Sequence, residues 1–219
     1  MKRTAAVFDL DGTLMDTLED LADCMNEVLA GMDMPVHPVD AYRYFVGQGI
    51  ARLAASAAPA GTPPSVVADI TAAMGEVYGR NWARKSRPYP GIAGLLRELR
   101  TRDVALCVLS NKPDVFTRKV VAHFFPDQAF AVVAGARDDV PRKPDPTAAL
   151  AIARSIGREP SDCLYLGDTD TDMRTGLAAG MFTIGVAWGF RPAAELSGAG
   201  AQAIIEQPEQ ALHYLEADV

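Results

Sequence analysis

From about residue 88 onward, unbroken apolar runs alternate with stretches of helical periodicity, and this rhythm narrows the fold more than any other property of the chain. The runs are Val104–Leu109, Phe130–Ala134, Cys163–Leu166, Phe182–Val186 and a weaker Ala203–Ile205. Between them, helical patterns fall near 91–102, 113–123, 146–156 and 171–179, with Gly180 placed to cap the last. A strand wetted on one face alternates apolar and polar residues, so runs without alternation belong to strands covered on both faces. Strand, helix, strand in repetition predicts an α/β fold, a Rossmann-like parallel sheet core with helices on both faces. Such sheets bind ligands at the carboxyl ends of their strands, where Asp9, Ser110 and Asp168 each follow an apolar run.

Residues 16–87 interrupt the rhythm. Leu18, Leu21, Ala22, Met25, Val28, Leu29 and Met32 recur at helical spacing behind Asp16 or Thr17, either of which suits an N-cap. Further helices are predicted near 38–45, 49–58 and 64–83, and Arg87-Pro88-Tyr89-Pro90-Gly91 makes a stiff return. The expected organisation is a core domain of residues 1–15 and 88–219, interrupted by a small inserted α-helical cap domain of residues 16–87.

The opening run, Ala5–Phe8, delivers Asp9 and Asp11 into a turn at Gly12-Thr13. Like charges this close raise each other's pKa and resist desolvation, so the pair points to a cation or a reaction that needs it. A calcium loop starting at Asp9 would want glycine at its sixth position and glutamate at its twelfth, where this chain has Leu14 and Asp20. Two more groupings stand far away: Lys143 in Arg142-Lys143-Pro144-Asp145-Pro146, and Asp168, Asp170 and Asp172 after the run that ends at Gly167. Together they suit phosphate chemistry assisted by a hard metal ion. A formal net charge of -7 offers no general basic surface for nucleic acid or anionic membrane, so an anionic substrate must be held by local cations.

With 49% hydrophobic and 22% charged residues the composition is that of an ordinary globular protein. No stretch is long and apolar enough to span a bilayer, and the first residues lead into a strand without signal-peptide architecture, so a cytoplasmic protein is expected. Cys24, Cys107 and Cys163 are odd in number and lack CxxC spacing, which reads as small buried hydrophobes. His37, His123 and His213 are scattered along the chain, which favours surface or packing roles over ligation.

Taken in order, Asp9-Leu10-Asp11-Gly12-Thr13, Ser110 at a strand end, Lys143 before Pro144, and Gly167-Asp168 with Asp172 resemble the four motifs of the haloacid dehalogenase superfamily, spread over nearly the whole chain. The resemblance implies that Asp9 is a nucleophile forming an aspartyl-phosphate and that Asp11 is the general acid and base. It further implies that Ser110, the backbone amide of Asn111 and Lys143 hold the transferring phosphate. The implied cofactor is Mg2+, held by the side chains of Asp9 and Asp168 and the backbone carbonyl of Asp11. Asp172 and Thr13 support these ligands, Asp170 faces solvent or caps the following helix, and Lys112 is left without a role. At ~4 Å and an effective dielectric of about 20, each unit-charge pair is worth roughly 4 kcal/mol, which is why a carboxylate cluster of this kind calls for its cation.

Dehalogenating members of the superfamily lack the second aspartate, so Asp11 implies phosphotransfer. The helical insertion resembles the type of cap that closes over small phosphorylated metabolites. Val46-Gly47-Gln48-Gly49 and Arg87-Pro88-Tyr89-Pro90-Gly91 resemble phosphoglycolate phosphatases, which makes Gly47, Gln48, Gly49 and Arg52 candidate contacts to a substrate carboxylate. The expected activity is hydrolysis of a small phosphomonoester, 2-phosphoglycolate first, with pyrophosphate and sugar phosphates open. A non-catalytic phosphometabolite-binding protein is the alternative of another class. The expected partner is a small phosphorylated metabolite, without nucleic acid or membrane, for a chain acting as monomer or homodimer.

Overall fold

The computed structural model of the protein describes residues 2–216. Its strands are β1 (Ala5–Phe8), β2 (Met15–Asp16), β3 (Arg87–Pro88), β4 (Ala105–Pro113), β5 (Val132–Ala136), β6 (Cys163–Gly167), β7 (Phe182–Val186) and β8 (Ala203–Ile205). Its α-helices are α1 (Leu18–Gly31), α2 (Tyr42–Phe45), α3 (Ile50–Ala57), α4 (Pro64–Asn81), α5 (Ile92–Thr101), α6 (Asp114–Phe124), α7 (Thr147–Ser155), α8 (Asp170–Ala179) and α9 (Ala193–Gly198). Among the described residues the main sheet has the order β5-β4-β1-β6-β7-β8, with every pairing parallel. This is the α/β, Rossmann-like arrangement that the alternating runs require.

The reason those runs lack polar residues is visible in the packing. Successive side chains of a strand point to opposite faces. Ala6 and Phe8 join Leu106, Val108, Leu164 and Leu166 in one apolar cluster, closed by Leu95, Leu96 and Leu99 of α5 and by Val120 of α6. Ala5 and Val7 join Cys107, Leu109, Cys163 and Tyr165 in another, closed by Ala149, Ile152 and Ala153 of α7. Both faces of the three central strands are therefore dry. Cys24, Cys107 and Cys163 are buried and unbridged.

Helices α1 to α4 lie between β2 and β3 and share a separate cluster built on Leu21, Met25 and Leu29 of α1, Leu53 of α3, and Ile70, Met74 and Tyr78 of α4. The ends of this insertion meet in a contact too short to leave a periodicity in sequence. Met15 pairs with Pro88 and Asp16 with Arg87 in an antiparallel ribbon, reinforced by the Arg87 to Asp16 ion pair at 3.1 Å. Asp20 adds a second tie: its buried carboxylate accepts from the backbone amides of Lys85 at 3.0 Å and Ser86 at 2.8 Å, and from the Ser86 hydroxyl at 2.7 Å.

Several expected boundaries move. The strand expected to end at Leu109 continues to Pro113, because pairing with β5 breaks its register after Leu109 and resumes at Pro113 with Ala136. β5 starts two residues later than its apolar run and is only half-buried throughout, as an edge strand is. The helix expected at 38–45 is a 3-10 turn, Val39–Ala41, followed by the single helical turn of α2. Thr17 occupies the N-cap position of α1 without capping it, since its hydroxyl is engaged elsewhere. Gly180 does close α8, in the left-handed conformation with φ 74°. No helix among the described residues is long and apolar enough to cross a membrane.

Gly176, inside α8, gives a test in which two effects have opposite signs. Helix propensity alone makes Gly176→Ala stabilising by about 1 kcal/mol. A Cβ there would, however, overlap the Thr183 hydroxyl and sit 3.0 Å from Cβ of Tyr165, both buried side chains of the sheet. The packing effect should win, so Gly176→Ala is expected to destabilise by about 1–3 kcal/mol and lower Tm in thermal unfolding; an unchanged or raised Tm would show that the helix can move off the sheet.

Candidate active site

The site is made by adjacency in the sheet. β1, β4 and β6 are neighbours, with Phe8 in register with Val108 on one side and Leu166 on the other, so residues just beyond these positions emerge together at the carboxyl edge. Asp9 leaves β1 there, Ser110 and Asn111 lie on β4, and Asp168 follows β6. Lys143 arrives from the loop before α7. Its ammonium donates to Asp9 Oδ1 at 2.6 Å, to Asp172 Oδ1 at 2.7 Å and to the Leu109 carbonyl at 3.1 Å. All three donors of a lysine are thereby used, with its side chain 2% exposed.

Asp168 is fully buried and lies behind Asp9. Its Oδ1 accepts from the Thr13 hydroxyl at 3.2 Å and its Oδ2 from the Phe190 amide at 2.8 Å. Two glycines let the backbone come this close. A Cβ on Gly12, which has φ 91°, would overlap the Asp168 carboxylate, and a Cβ on Gly189 would overlap the same side chain. Asp172 starts the helix from within, as half of a capping box: Thr169 takes the cap and its hydroxyl donates to Asp172 Oδ2 at 2.6 Å. The cap is therefore Thr169 rather than Asp170. Asp170, the first residue of α8, is half-buried and pairs with Arg174 at 3.1 Å.

These carboxylates are electrostatically incomplete. Burial pushes the Asp9 carboxyl up to about 7, with Lys143 opposing and Asp172 reinforcing the rise. Burial, then Asp9 and Asp172, push Asp168 well above the usual carboxylate range. Lys143 is held above its ordinary value because Asp172 and Asp9 together outweigh the effect of its own burial. Ligand oxygens of Asp9, Asp168 and Asp172 all lie within 4.8 Å of one another. One ammonium cannot balance three buried carboxylates, and among the described residues no cationic side chain is bonded to Asp168. Hard oxygen donors at this spacing fit a divalent cation, which would supply the missing charge. The sequence placed Asp172 behind the ligands; in space it is the third carboxylate of the cluster, though Lys143 and Thr169 also claim it.

Asp11 stands apart from this trio and faces the open side. Lys112 donates to both of its oxygens, at 2.9 and 3.0 Å, and Thr17 donates to Oδ1 at 2.8 Å. The pair is almost dry, with the Lys112 and Asp11 side chains 4% and 11% exposed. Asp11 holds Lys112 above its ordinary value against the opposing effect of burial. Lys112 is thus a site residue that sequence reasoning left without a role. Ser110 is buried, and its Oγ accepts from the Lys112 amide at 3.2 Å. The Asn111 side chain is a strut: it donates to the Lys143 carbonyl and the Gly47 carbonyl, both at 3.0 Å, and accepts from the Lys143 amide at 2.9 Å.

In front of these groups lies a pocket with about 590 Å³ of empty space including its mouth. Asp9, Asp11, Ser110, Asn111 and Lys112 line its sheet side. Leu21, Val46, Leu53, Met74 and Tyr78 line the side given by the insertion, with Gly47 and Gly49 among them. Gly49, with φ 88°, packs so closely on the Asn111 carbonyl and the Arg142 guanidinium that a Cβ would lie 3.1 and 2.7 Å from them. Gln48 and Arg52 do not line the pocket: both are exposed. Arg52 precedes the buried Leu53 on α3, and a step of ~100° around a helix turns it outward. Two cross-contacts sequence could not anticipate are Arg43 donating to the Gly189 carbonyl at 3.0 Å and Arg191 donating to the Val46 carbonyl at 3.3 Å.

Comparison with known proteins agrees with this geometry. Residues 6–186 match the family described as haloacid dehalogenase-like hydrolase. A phosphoglycolate phosphatase of Pseudomonas syringae is 31% identical over 196 residues, 86% of this chain and 72% of its own. Another, of Haemophilus influenzae, is 31% identical over 190 residues, 84% of this chain and 85% of its own. A crystal structure from Lactobacillus delbrueckii subsp. bulgaricus superposes with a TM-score of 0.93 over the whole of both chains at 27% identity. CbbY from Rhodobacter sphaeroides, solved in complex with phosphate, superposes with a TM-score of 0.80 at 25% identity, covering 99% of this chain and 100% of its own. With the family matched over most of its length and the sheet, the carboxylates and the lysine in place, the chain belongs to the haloacid dehalogenase-like hydrolases.

Proposed function

We propose that the protein hydrolyses a small phosphomonoester, 2-phosphoglycolate before others, through an aspartyl-phosphate on Asp9 with Mg2+ as its cofactor. Family membership and the phosphoglycolate phosphatase relatives make it a phosphoric monoester hydrolase. The finer reading is carried by one observation: Asp9 and Asp11 both line the pocket but are held by two different lysines, Lys143 and Lys112, so one carboxylate is fixed within the acidic cluster and the other outside it.

In this reading a carboxylate oxygen of Asp9 attacks phosphorus while Asp11 gives its proton to the departing alkoxide, releasing glycolate. Asp11, now ionised, takes a proton from water. That water attacks the phosphorus of the Asp9 acyl phosphate and breaks its bond to the carboxylate oxygen, returning the Asp9 carboxylate and free phosphate. Ser110 donates its hydroxyl to a phosphoryl oxygen, Lys143 supplies positive charge beside nucleophile and phosphate, and the Asn111 strut keeps the Lys143 loop at its distance. Mg2+, held by Asp9 and Asp168 with Asp172 beside them, would neutralise charge on the phosphoryl oxygens. Helices α1 to α4 act as a cap domain that excludes water from the pocket and limits what enters. The reading carries with it a cytoplasmic location and a monomer or homodimer as the working unit.

Four outcomes are expected. Against 2-phosphoglycolate, pyrophosphate and glucose 6-phosphate compared by kcat/KM, 2-phosphoglycolate should lead by about tenfold or more; equal values would end the substrate assignment and leave the chemistry standing. Asp9→Asn should lower phosphate release about 10³-fold or more, and EDTA should abolish wild-type turnover until Mg2+ is restored. A wild type that binds phosphate with Mg2+ but never turns over would favour a binding protein. Lys143→Met, unfolded by denaturant in EDTA, should lose about 3–5 kcal/mol of stability, since it leaves Asp9 and Asp172 facing each other without their shared cation; a loss under 1 kcal/mol would mean water reaches the cluster.

A further inference from the structure

Past the groups that face the phosphate, the pocket wall is apolar, with Leu21, Val46, Leu53, Met74 and Phe116 prominent in it. Two side chains break that surface. Lys112 comes from β4 and Tyr78 from α4 of the insertion, and the Lys112 ammonium lies 4.7 Å from the centroid of the Tyr78 ring. Tyr78 is 2% exposed; among the described residues its hydroxyl makes no hydrogen bond of full geometry, and the polar group that acts on it is the Lys112 ammonium. Buried hydroxyls are ordinarily fully paired, so one on a pocket wall with only a loosely placed ammonium beside it has hydrogen-bonding capacity left for a ligand. Phe116 fixes the ring edge-to-face at 5.2 Å, which holds the hydroxyl in one direction.

We propose that the Tyr78 hydroxyl and the Lys112 ammonium together form the subsite for the substrate's carboxylate. The inference rests on the 2-phosphoglycolate reading and assigns the recognition that reading lacks, since Gln48 and Arg52 are exposed and line no part of the pocket. Its geometry follows from Asp11. The leaving oxygen of any substrate must come within hydrogen-bond reach of the Asp11 carboxylate, and Lys112 already grips both oxygens of that carboxylate. The two carbons of glycolate therefore end beside Lys112. An ammonium has three donors, so Lys112 can hold Asp11 and a second carboxylate at once, while a neutral phenol supplies the other hydrogen bond. In a nearly dry site these charge-assisted bonds are strong, and a substrate ending in a methyl group would leave the hydroxyl as it is in the free protein.

Tyr78→Phe removes only the hydroxyl oxygen and keeps the ring that packs on Phe116, so the variant should fold with a Tm equal to or above wild type. Steady-state kinetics with 2-phosphoglycolate and with ethyl phosphate, which replaces the carboxylate by a methyl, reads the subsite directly. The expected result is a wild-type preference for 2-phosphoglycolate that falls about tenfold in Tyr78→Phe, mainly through KM, while ethyl phosphate changes less than about twofold. An equal fall for both esters overturns the proposal, because the hydroxyl would then be structural. A preference that survives unchanged in Tyr78→Phe also overturns it, leaving 2-phosphoglycolate as substrate but read elsewhere. A wild type with no preference sinks the substrate reading, and the subsite falls with it.

Discussion

One ammonium group, that of Lys143, lies between two buried carboxylates from strands and helices that are otherwise unrelated in sequence. Asp9 is 134 residues away and Asp172 is 29. Bringing these three together costs desolvation on every group, and only good geometry with the remaining donors satisfied can offset that. The fold meets the condition through sheet order. Because β1 has β4 and β6 as its immediate neighbours, the groups beyond their ends are within a few ångströms of one another before any loop is placed. The loop carrying Lys143 is then fixed by the Asn111 side chain, which bonds both its amide and its carbonyl. What remains unbalanced is Asp168, and that imbalance is the physical basis for expecting a divalent cation.

A second ion pair, Lys112 with Asp11, gives the two aspartates different surroundings. Were both aspartates to share Lys143, they would be equivalent carboxylates with similar environments. Instead one is embedded among like charges and the other is tied at the pocket mouth to a lysine and a threonine hydroxyl. Two carboxylates in different surroundings can take different roles, one as nucleophile and one as proton carrier. The insertion completes this division from outside, since Tyr78 lies under the Lys112 ammonium and Gly47 accepts from Asn111.

Much of this was legible in the residues. Asp9, Asp11 and Asp168 announce themselves because charge at the end of an apolar run has few explanations, and the unbroken runs themselves could only be strands with two covered faces. Other parts left no trace of that kind. Lys112 reads as a loop lysine, and its meaning depends on Asp11, 101 residues earlier. Tyr78 sits at an ordinary core position of a helical pattern, where nothing distinguishes a hydroxyl with spare hydrogen-bonding capacity from one that is satisfied. Asp20 looks like a first-turn acid of α1, yet its acceptors serve a stretch 65 residues on. Two-residue strands such as β2 and β3 are shorter than any period. Arg52 misled for a related reason: proximity in sequence to Gly49 carried no information about which way a helix would turn it.

The paired ribbon of Met15–Asp16 with Arg87–Pro88 means that the polypeptide leaves the sheet and returns to it through a single doorway. The strands therefore never have to span a gap on account of what hangs beyond that doorway. Whatever is threaded between its two posts, longer or shorter, can be remodelled while the registers of β1, β4 and β6 stay as they are. The pocket is in this sense built from two sources: its charged side belongs to the wall, and Leu21, Val46, Leu53, Met74 and Tyr78 belong to what is built outside the door.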